Sequence, residues 1–281
     1  MRIGGRVFEG PGPFLMGVVN VTPDSFSDGG RFLGRDAAVA QAERLVSEGA
    51  DLVDVGGEST RPGAPEVPAN VEAQRVVPVI ERLRERGCIT PISVDTRKPE
   101  VARAALAAGA NMVNDVSGLA DPALREIVAT SGCPAVLMHM RGTPADMSSR
   151  AVYDDVVGEV ERELGEALAR ATRAGVREDR IFLDPGLGFA KTAEQSLVLL
   201  AELPSLRRLG RPLLVGPSRK SFIGEITGAG VKDRLPGTLA AVAACVLAGV
   251  EVIRVHDMAA ARQAARVAAA IRDASSSSGR R

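Results

Sequence analysis

One arrangement recurs along the chain and narrows its fold more than any other feature. A short apolar run leads into a loop rich in Gly, Asp and Asn, and then into an Ala/Arg/Glu-rich segment with helical spacing. The apolar runs are Leu15–Val19, Leu52–Val55, Ile92–Val94, Met112–Val113, Val136–Met138, Ile181–Leu183, Leu213–Val215 and Val252–Val255. None alternates strictly, as expected of strands covered on both faces of a parallel sheet. Helical patterns fill the intervals at Asp36–Glu48, Val71–Arg86, Glu100–Ala108, Pro122–Thr130, Asp154–Ala174, Ala193–Leu203, Thr238–Ala248 and Met258–Arg272. Eight such units make the count of a (β/α)8 barrel, whose usual length a chain of 281 residues matches. An open doubly wound sheet would use the same elements in another order, but the count of eight favours the barrel. Arg2–Phe8 is expected to form a short hairpin that plugs the barrel's N-terminal end. The barrel is expected to occupy residues 1–274 without a linker, and the Ser-rich tail 275–281 to be disordered.

Thirty-five basic residues balance thirty-five acidic ones, so no global field recruits nucleic acid or an anionic membrane. The start of the chain lacks the apolar core of a secretory signal, and the most apolar stretch, Gly237–Val250, is too short to span a bilayer. Cys88, Cys133 and Cys245 are scattered, which suits thiols of a reducing compartment. A cytoplasmic protein is expected. The segment Thr238–Ala248 is apolar nearly all round, which fits either tight packing on the sheet or a subunit interface.

Polar residues gather where the strands end, the face on which barrels of this kind carry their sites. Asn20 follows the first run, Asp54 lies near the end of the second, Asp95 ends the third, and Asn114-Asp115 the fourth. His139 ends the fifth, Asp184 the sixth, Ser218-Arg-Lys-Ser221 follows the seventh, and Arg254 and His256 mark the eighth. Helix capping explains Asp36 and Asp121. It does not explain Asp95, Asn114, Asp184 and Lys220 together, because uncompensated buried carboxylates are costly and capping has no use for a lysine. A flat heterocycle rich in N–H and C=O groups would satisfy all four: a carboxylate accepts two parallel bonds from an amidine-like edge, while Asn and Lys serve neighbouring edges. Arg254, His256 and the Ser218–Ser221 loop suit a phosphate-type group, and the amide oxygen of Asn20 suits one position on a hard cation such as Mg2+. With only His139 and His256 in the chain, a multi-histidine zinc site is excluded. His139 reads as a satisfied core histidine. Gly186–Thr192 lacks the Gly-Lys-Ser/Thr ending of a P-loop.

Seven motifs in order resemble those of the bacterial dihydropteroate synthases over almost the whole chain. They are Met16–Gly30, Asp54–Gly63 (DVGGESTRPG), Ser93–Thr96, Asn114–Gly118, Asp184–Phe189, Ser218–Ser221 and Arg254–His256. The resemblance implies a TIM barrel, a homodimer, and the joining of 6-hydroxymethyl-7,8-dihydropterin diphosphate to p-aminobenzoate on the route to folate. Carried over by motif, Asp95, Asn114, Asp184 and Lys220 hold the pterin. Asn20 carries Mg2+ and, with Arg254 and His256, the diphosphate. Thr60, Arg61, Pro62, Phe189, Lys220 and Ser221 form the p-aminobenzoate side. An SN1-like reaction is expected, with Asp28, Lys220, Arg254 and His256 as catalytic residues and Asp28 offsetting the charge left on the pterin. Sensitivity to sulfonamides is expected, since Ser59-Thr60-Arg61-Pro62 is the family's ordinary second loop. A corrinoid methyltransferase barrel would have no use for the diphosphate residues or that loop, and a non-catalytic relative should have lost one of them.

Overall fold

The computed structural model describes residues 2–10, 12–22 and 31–278. Eight parallel strands form the sheet: β1 (Phe14–Asn20), β2 (Leu52–Gly56), β3 (Ile92–Asp95), β4 (Met112–Asp115), β5 (Ala135–Met138), β6 (Ile181–Asp184), β7 (Leu214–Val215) and β8 (Val252–Val255). Each lies beside its sequence neighbours, β8 pairs with β1, and a bridge between Leu183 and Leu213 joins β6 to β7. The sheet thus closes into the (β/α)8 barrel, with helices packed around it.

The helices are α1 (Arg31–Ser47), α2 (Ala69–Glu85), α3 (Pro99–Ala107), α4 (Pro122–Ser131), α5 (Val156–Arg173), α6 (Ala193–Ala201), the single turn α7 (Leu203–Leu206), α8 (Ser221–Thr227), α9 (Leu235–Leu247) and α10 (Met258–Ser278). Several begin where local chemistry satisfies free amides. The Asp121 carboxylate accepts from Ala123 N, Asp155 from Val157 and Gly158 N, and Thr192 forms a capping box with Gln195. Asp36 is not a cap: α1 starts at Arg31 and Asp36 lies inside it, beside Arg35. The last helix runs to Ser278, past the boundary expected at 274, because the Ala-rich sequence contains no breaker before Gly279. Helix α8 has no counterpart in the periodicity analysis, since a segment this short barely completes two turns.

The N-terminal end of the barrel repeats one device three times. Asp51, Asn111 and Glu251, each just before a strand, accept the backbone N–H of Leu15 (2.9 Å), Ile92 (3.1 Å) and Leu213 (2.8 Å), the first two in the preceding strand and Leu213 immediately before β7. Two residues earlier, Gly49, Gly109 and Gly249 turn in the left-handed region, and their carbonyls accept from Arg262, Arg84 and Arg207. Arg2–Ile3 and Arg6–Val7 pair as the expected hairpin. Its Ile3 and Phe8 pack against Met16, Leu52, Met112, Val136, Phe182, Leu214 and Val252, one residue from each of seven barrel strands. This apolar layer seals the bottom of the barrel.

The pleat then places the functional residues. Side chains two positions apart share a face of a strand. Leu52, Met112, Phe182 and Val252 belong to the sealed interior layer, so Asp54, Asn114, Asp184 and Arg254 occupy the next layer up. The apolar plug and the polar floor are consecutive layers of one barrel. Replacing Ile3, which is fully buried, with Ala should lower stability by about 2–5 kcal/mol, read as a urea midpoint shift without change in slope.

Candidate active site

Arg254 is the centre of the polar floor. Its Nε donates to Asp54 Oδ2 (2.7 Å) and its Nη2 to Asp95 Oδ2 (2.8 Å). Asn114 Nδ2 donates to the same Asp54 oxygen at 2.9 Å. Four strands, β2, β3, β4 and β8, therefore meet in one network. Asp54 is fully buried, and its other oxygen, Oδ1, lacks a partner among the described residues. Gly56 leaves the space Asp95 needs, since a Cβ there would stand 3.3 Å from the Asp95 Cβ.

Burial pushes the Asp95 carboxyl up to about 7 against the pull of Arg254, with Asp54 adding to the rise. Burial acts to lower the Arg254 guanidinium, but Asp54 and Asp95 outweigh it and hold it above its ordinary value. Asp184 lies further round the floor on β6. Burial raises it, while the Gly186 N–H donated to its Oδ1 at 2.7 Å and the Lys220 charge oppose the rise. Lys220 is lowered to about 8 by burial, with Asp184 opposing. Its ammonium stands 4.1 Å from the centroid of the Phe189 ring. The structure thus brings Asp95, Asn114 and Arg254 into contact, and Asp184, Lys220 and Phe189 into one neighbouring group.

His256, beyond the end of β8, is lowered to about 4, first by burial and then by Arg254 and Arg219. It is neutral at physiological pH, with Ser218 Oγ 2.9 Å from its Nδ1. Ser221 is exposed at the start of α8. Asn20 ends β1, and its side-chain amide makes no hydrogen bond to another described residue. Asp28 lies outside the described residues.

Thr60, Arg61 and Pro62 belong to the loop that follows β2. The tip of their loop is tied to the loop after β5, where Gly63 N donates to Pro144 O at 2.9 Å, and Arg61 and Pro62 are exposed. The base of this loop is fixed by Glu58. One oxygen accepts from Val67 N (2.8 Å) and Lys98 Nζ (2.9 Å), the other from Arg97 Nε (3.2 Å). Lys98 also binds Glu72, which is fully buried. The base is held and the tip is presented.

His139 is buried and satisfied, as expected. Its Nε2 meets Glu163 Oε2 at 3.0 Å and its Nδ1 accepts from Lys191 Nζ at 2.8 Å. Lys191 also donates to Phe189 O at 2.9 Å, so the buried Lys191–His139 pair, backed by the half-buried Glu163, fixes the loop that carries Phe189. Burial lowers Lys191 to about 7. Periodicity and motif reading gave no role of their own to Lys191 or Glu58, placed Ser218 only within a loop suited to a phosphate-type group, and marked Asp54 only as a polar residue near the end of an apolar run. Among them only Asp54 carries a local signal, a charge inside a strand.

Residues 16–256 match the family described as pterin binding enzyme. The chain is similar to the dihydropteroate synthase of Synechocystis sp. (strain ATCC 27184 / PCC 6803 / Kazusa), with 46% identity over 274 residues, 96% of this chain and 94% of that one. Among solved structures it resembles the Xanthomonas albilineans dihydropteroate synthase with 4-aminobenzoic acid (51% identity, TM-score 0.87, 92% of this chain and 93% of that one). The same enzyme has been solved in complex with 7,8-dihydropteroate. The Yersinia pestis dihydropteroate synthase with a sulfonamide drug complex matches with 40% identity and TM-score 0.91, covering 97% and 99% of the two chains.

Arg254→Met should destabilise the fold by about 3 kcal/mol, because it strands two buried carboxylates. The loss should depend on pH. A carboxyl whose folded pKa lies above its unfolded value holds a proton that the unfolded chain has released, so stability falls as pH rises through that interval. Urea unfolding should show a larger deficit at pH 8 than at pH 5, and an equal deficit at both would rule out this account.

Proposed function

The chain belongs to the pterin-binding enzyme family as a dihydropteroate synthase, and from that premise we propose how its residues divide the work. The enzyme is a transferase of folate biosynthesis. It joins 6-hydroxymethyl-7,8-dihydropterin diphosphate to p-aminobenzoate, and yields 7,8-dihydropteroate and pyrophosphate. The observation that carries the residue assignment is the floor of Asp95, Asn114 and Asp184, aimed inward from three strands of a barrel whose bottom is sealed.

In this reading the pterin lies on that floor. Asp184 and Asp95 accept from its N–H edges, Asn114 serves an edge with both donor and acceptor, and Lys220 donates to a carbonyl or ring nitrogen. Arg254 and His256 face the diphosphate. Phe189, Lys220 and Ser221 form the wall for p-aminobenzoate, completed when Thr60, Arg61 and Pro62 leave Pro144 and fold over the bound pterin.

The residues fit Mg2+ carried in with the diphosphate. Such an ion keeps several waters and takes few protein oxygens, and Asn20 offers a hard amide oxygen with no hydrogen bond to a described residue. Asn20 would hold it, and the ion would neutralise charge on the departing pyrophosphate. Arg254 and His256 hold that leaving group as the bond from the methylene carbon to its oxygen breaks. The electron-rich ring spreads the positive charge left on the carbon, which Asp28 offsets. The arylamine attacks through its free lone pair and afterwards loses a proton, so an SN1-like course needs no strong base. Closure of the second loop excludes the water that would otherwise trap the cation.

The enzyme works as a homodimer in this proposal. Ile226, Val231, Leu247, Val267 and Ile271 are all more than half exposed and lie on or beside the neighbouring helices α8, α9 and α10. That much apolar surface on one side suits a partner subunit. Among the described residues no helix is long and apolar enough to cross a membrane.

Pyrophosphate release from the pterin diphosphate in Mg2+ should require p-aminobenzoate and fall with a sulfonamide. Release independent of p-aminobenzoate would overturn the reading. In the same assay Asp184→Asn should raise the pterin KM about tenfold or more, since a hydrogen bond to a charged group contributes about 1.5–3 kcal/mol. An unchanged KM would remove Asp184 from the pterin site. Leu247→Glu should shift the particle mass in light scattering from dimer to monomer, and a mass unmoved by it would place the interface elsewhere.

A further inference from the structure

Ser218 sits buried between β7 and α8, in the loop suited to a phosphate-type group, and has no role of its own in the proposed division of work. Among the described residues its hydroxyl oxygen has two hydrogen-bonding neighbours, both from His256. The main-chain N–H of His256 donates to it at 3.2 Å, and the ring's Nδ1 lies 2.9 Å away. A backbone amide can only donate, so one lone pair of Ser218 is occupied and its single proton must find an acceptor. Among the described residues, Nδ1 is the acceptor within reach. The opposite arrangement, with Nδ1–H donating, would leave a buried hydroxyl proton unpaired.

We infer that Ser218 is a positioning residue: its hydroxyl donates to His256 Nδ1 and so fixes the neutral imidazole as the Nε2–H tautomer, a donor toward the leaving pyrophosphate. The other tautomer would present a lone pair at Nε2 to an anion. With the proton on Nε2 the ring binds the anion without first becoming charged.

The turn around Ser218 is built to hold this arrangement. Arg219 has a φ of +56°, a left-handed conformation that costs a non-glycine residue energy and persists only where neighbours enforce it. Three ties do so. The Arg219 N–H donates to Thr238 Oγ1 (3.0 Å), Arg234 Nη1 donates to Arg219 O (3.1 Å), and the Arg219 guanidinium forks onto Asp257 through Nε (2.9 Å) and Nη2 (2.7 Å). Asp257 directly follows His256, so the fork locks the serine's turn to the histidine's strand end. This rigidity keeps the hydroxyl on Nδ1 instead of letting it rotate away.

The inference rests on the placing of His256 at the diphosphate, and the two can be separated. The chain has only two histidines, so nitrogen-15 spectra of the histidine-labelled full-length enzyme contain two ring systems, and His256→Asn assigns them. Wild-type enzyme at neutral pH should show His256 with a protonated Nε2 and an unprotonated Nδ1. A protonated Nδ1 would overturn the inference without recourse to any Ser218 variant. In Ser218→Ala the Nδ1 signal should shift as its donor is lost, and calorimetric affinity for inorganic pyrophosphate in Mg2+ should fall about fivefold, with Ser218→Thr restoring both. An unchanged ring spectrum in Ser218→Ala would also overturn it. If His256→Asn binds pyrophosphate as wild type does, the diphosphate assignment fails, whichever tautomer the spectrum shows.

Discussion

A single guanidinium shared between two buried carboxylates holds the upper barrel together. Without Arg254, the carboxylates of Asp54 and Asp95 would face each other across adjacent strands with no guanidinium between them. With it, β8 is linked through the interior to β2 and β3, and Asn114 brings in β4 by donating to the same Asp54 oxygen. Desolvation makes such a network a poor source of net stability, since a well-packed apolar layer would do as well. Its value lies in fixing Asp95 and Asn114 before a ligand arrives, so that little reorganisation remains to be done on binding.

The layer beneath explains how the barrel tolerates this. Ile3 and Phe8 of the hairpin close an apolar plug drawn from seven strands, and backbone ends at that face are held by Asp51, Asn111 and Glu251. Stability is concentrated at one end, and costly polar burial at the other. The loops above the floor follow the same logic. Glu58 with Lys98 pins the base of the second loop, and Lys191 with His139 pins the loop bearing Phe189. In both cases a buried ionisable group ends on a loop's backbone, which positions the loop without using the side chains that meet ligand.

The architecture was legible because the strands are apolar and the exceptions within them stand out. Asp95, Asn114, Asp184 and Arg254 could be picked from the sequence, since a charge or amide two residues beyond a core position has no other reason to point inward. What escaped is what depends on partners distant in sequence. Lys191 looks like any lysine before a helix until His139, 52 residues away, is placed beside it. Ser218 looks like part of a phosphate-type loop until the backbone of His256 occupies its lone pair. Asp36 shows the converse error: a good capping residue became helix interior because helix α1 begins five residues earlier, at Arg31. The position of Thr60, Arg61 and Pro62 against Pro144 was also beyond reach, because one backbone bond from Gly63 decides it and backbone bonds leave no mark on side-chain pattern.

The charge states of the floor bear on why the proposed chemistry can proceed with so little base. Burial drives Asp95 up to about 7, Lys220 down to about 8 and His256 down to about 4, so each is moved toward its neutral form. Arg254 moves the other way and keeps its charge because two carboxylates attend it. In the proposed complex a heterocycle that donates to Asp95 supplies part of what Arg254 supplies in the free protein, and the guanidinium is correspondingly freer to face the diphosphate. Seating the pterin and strengthening the hold on its leaving group then become one event. A strong base would work against it: next to a cationic carbon, a group that binds protons tightly would also activate water. Keeping both histidines neutral and handing proton release to an arylamine that is already weakly basic avoids that competition.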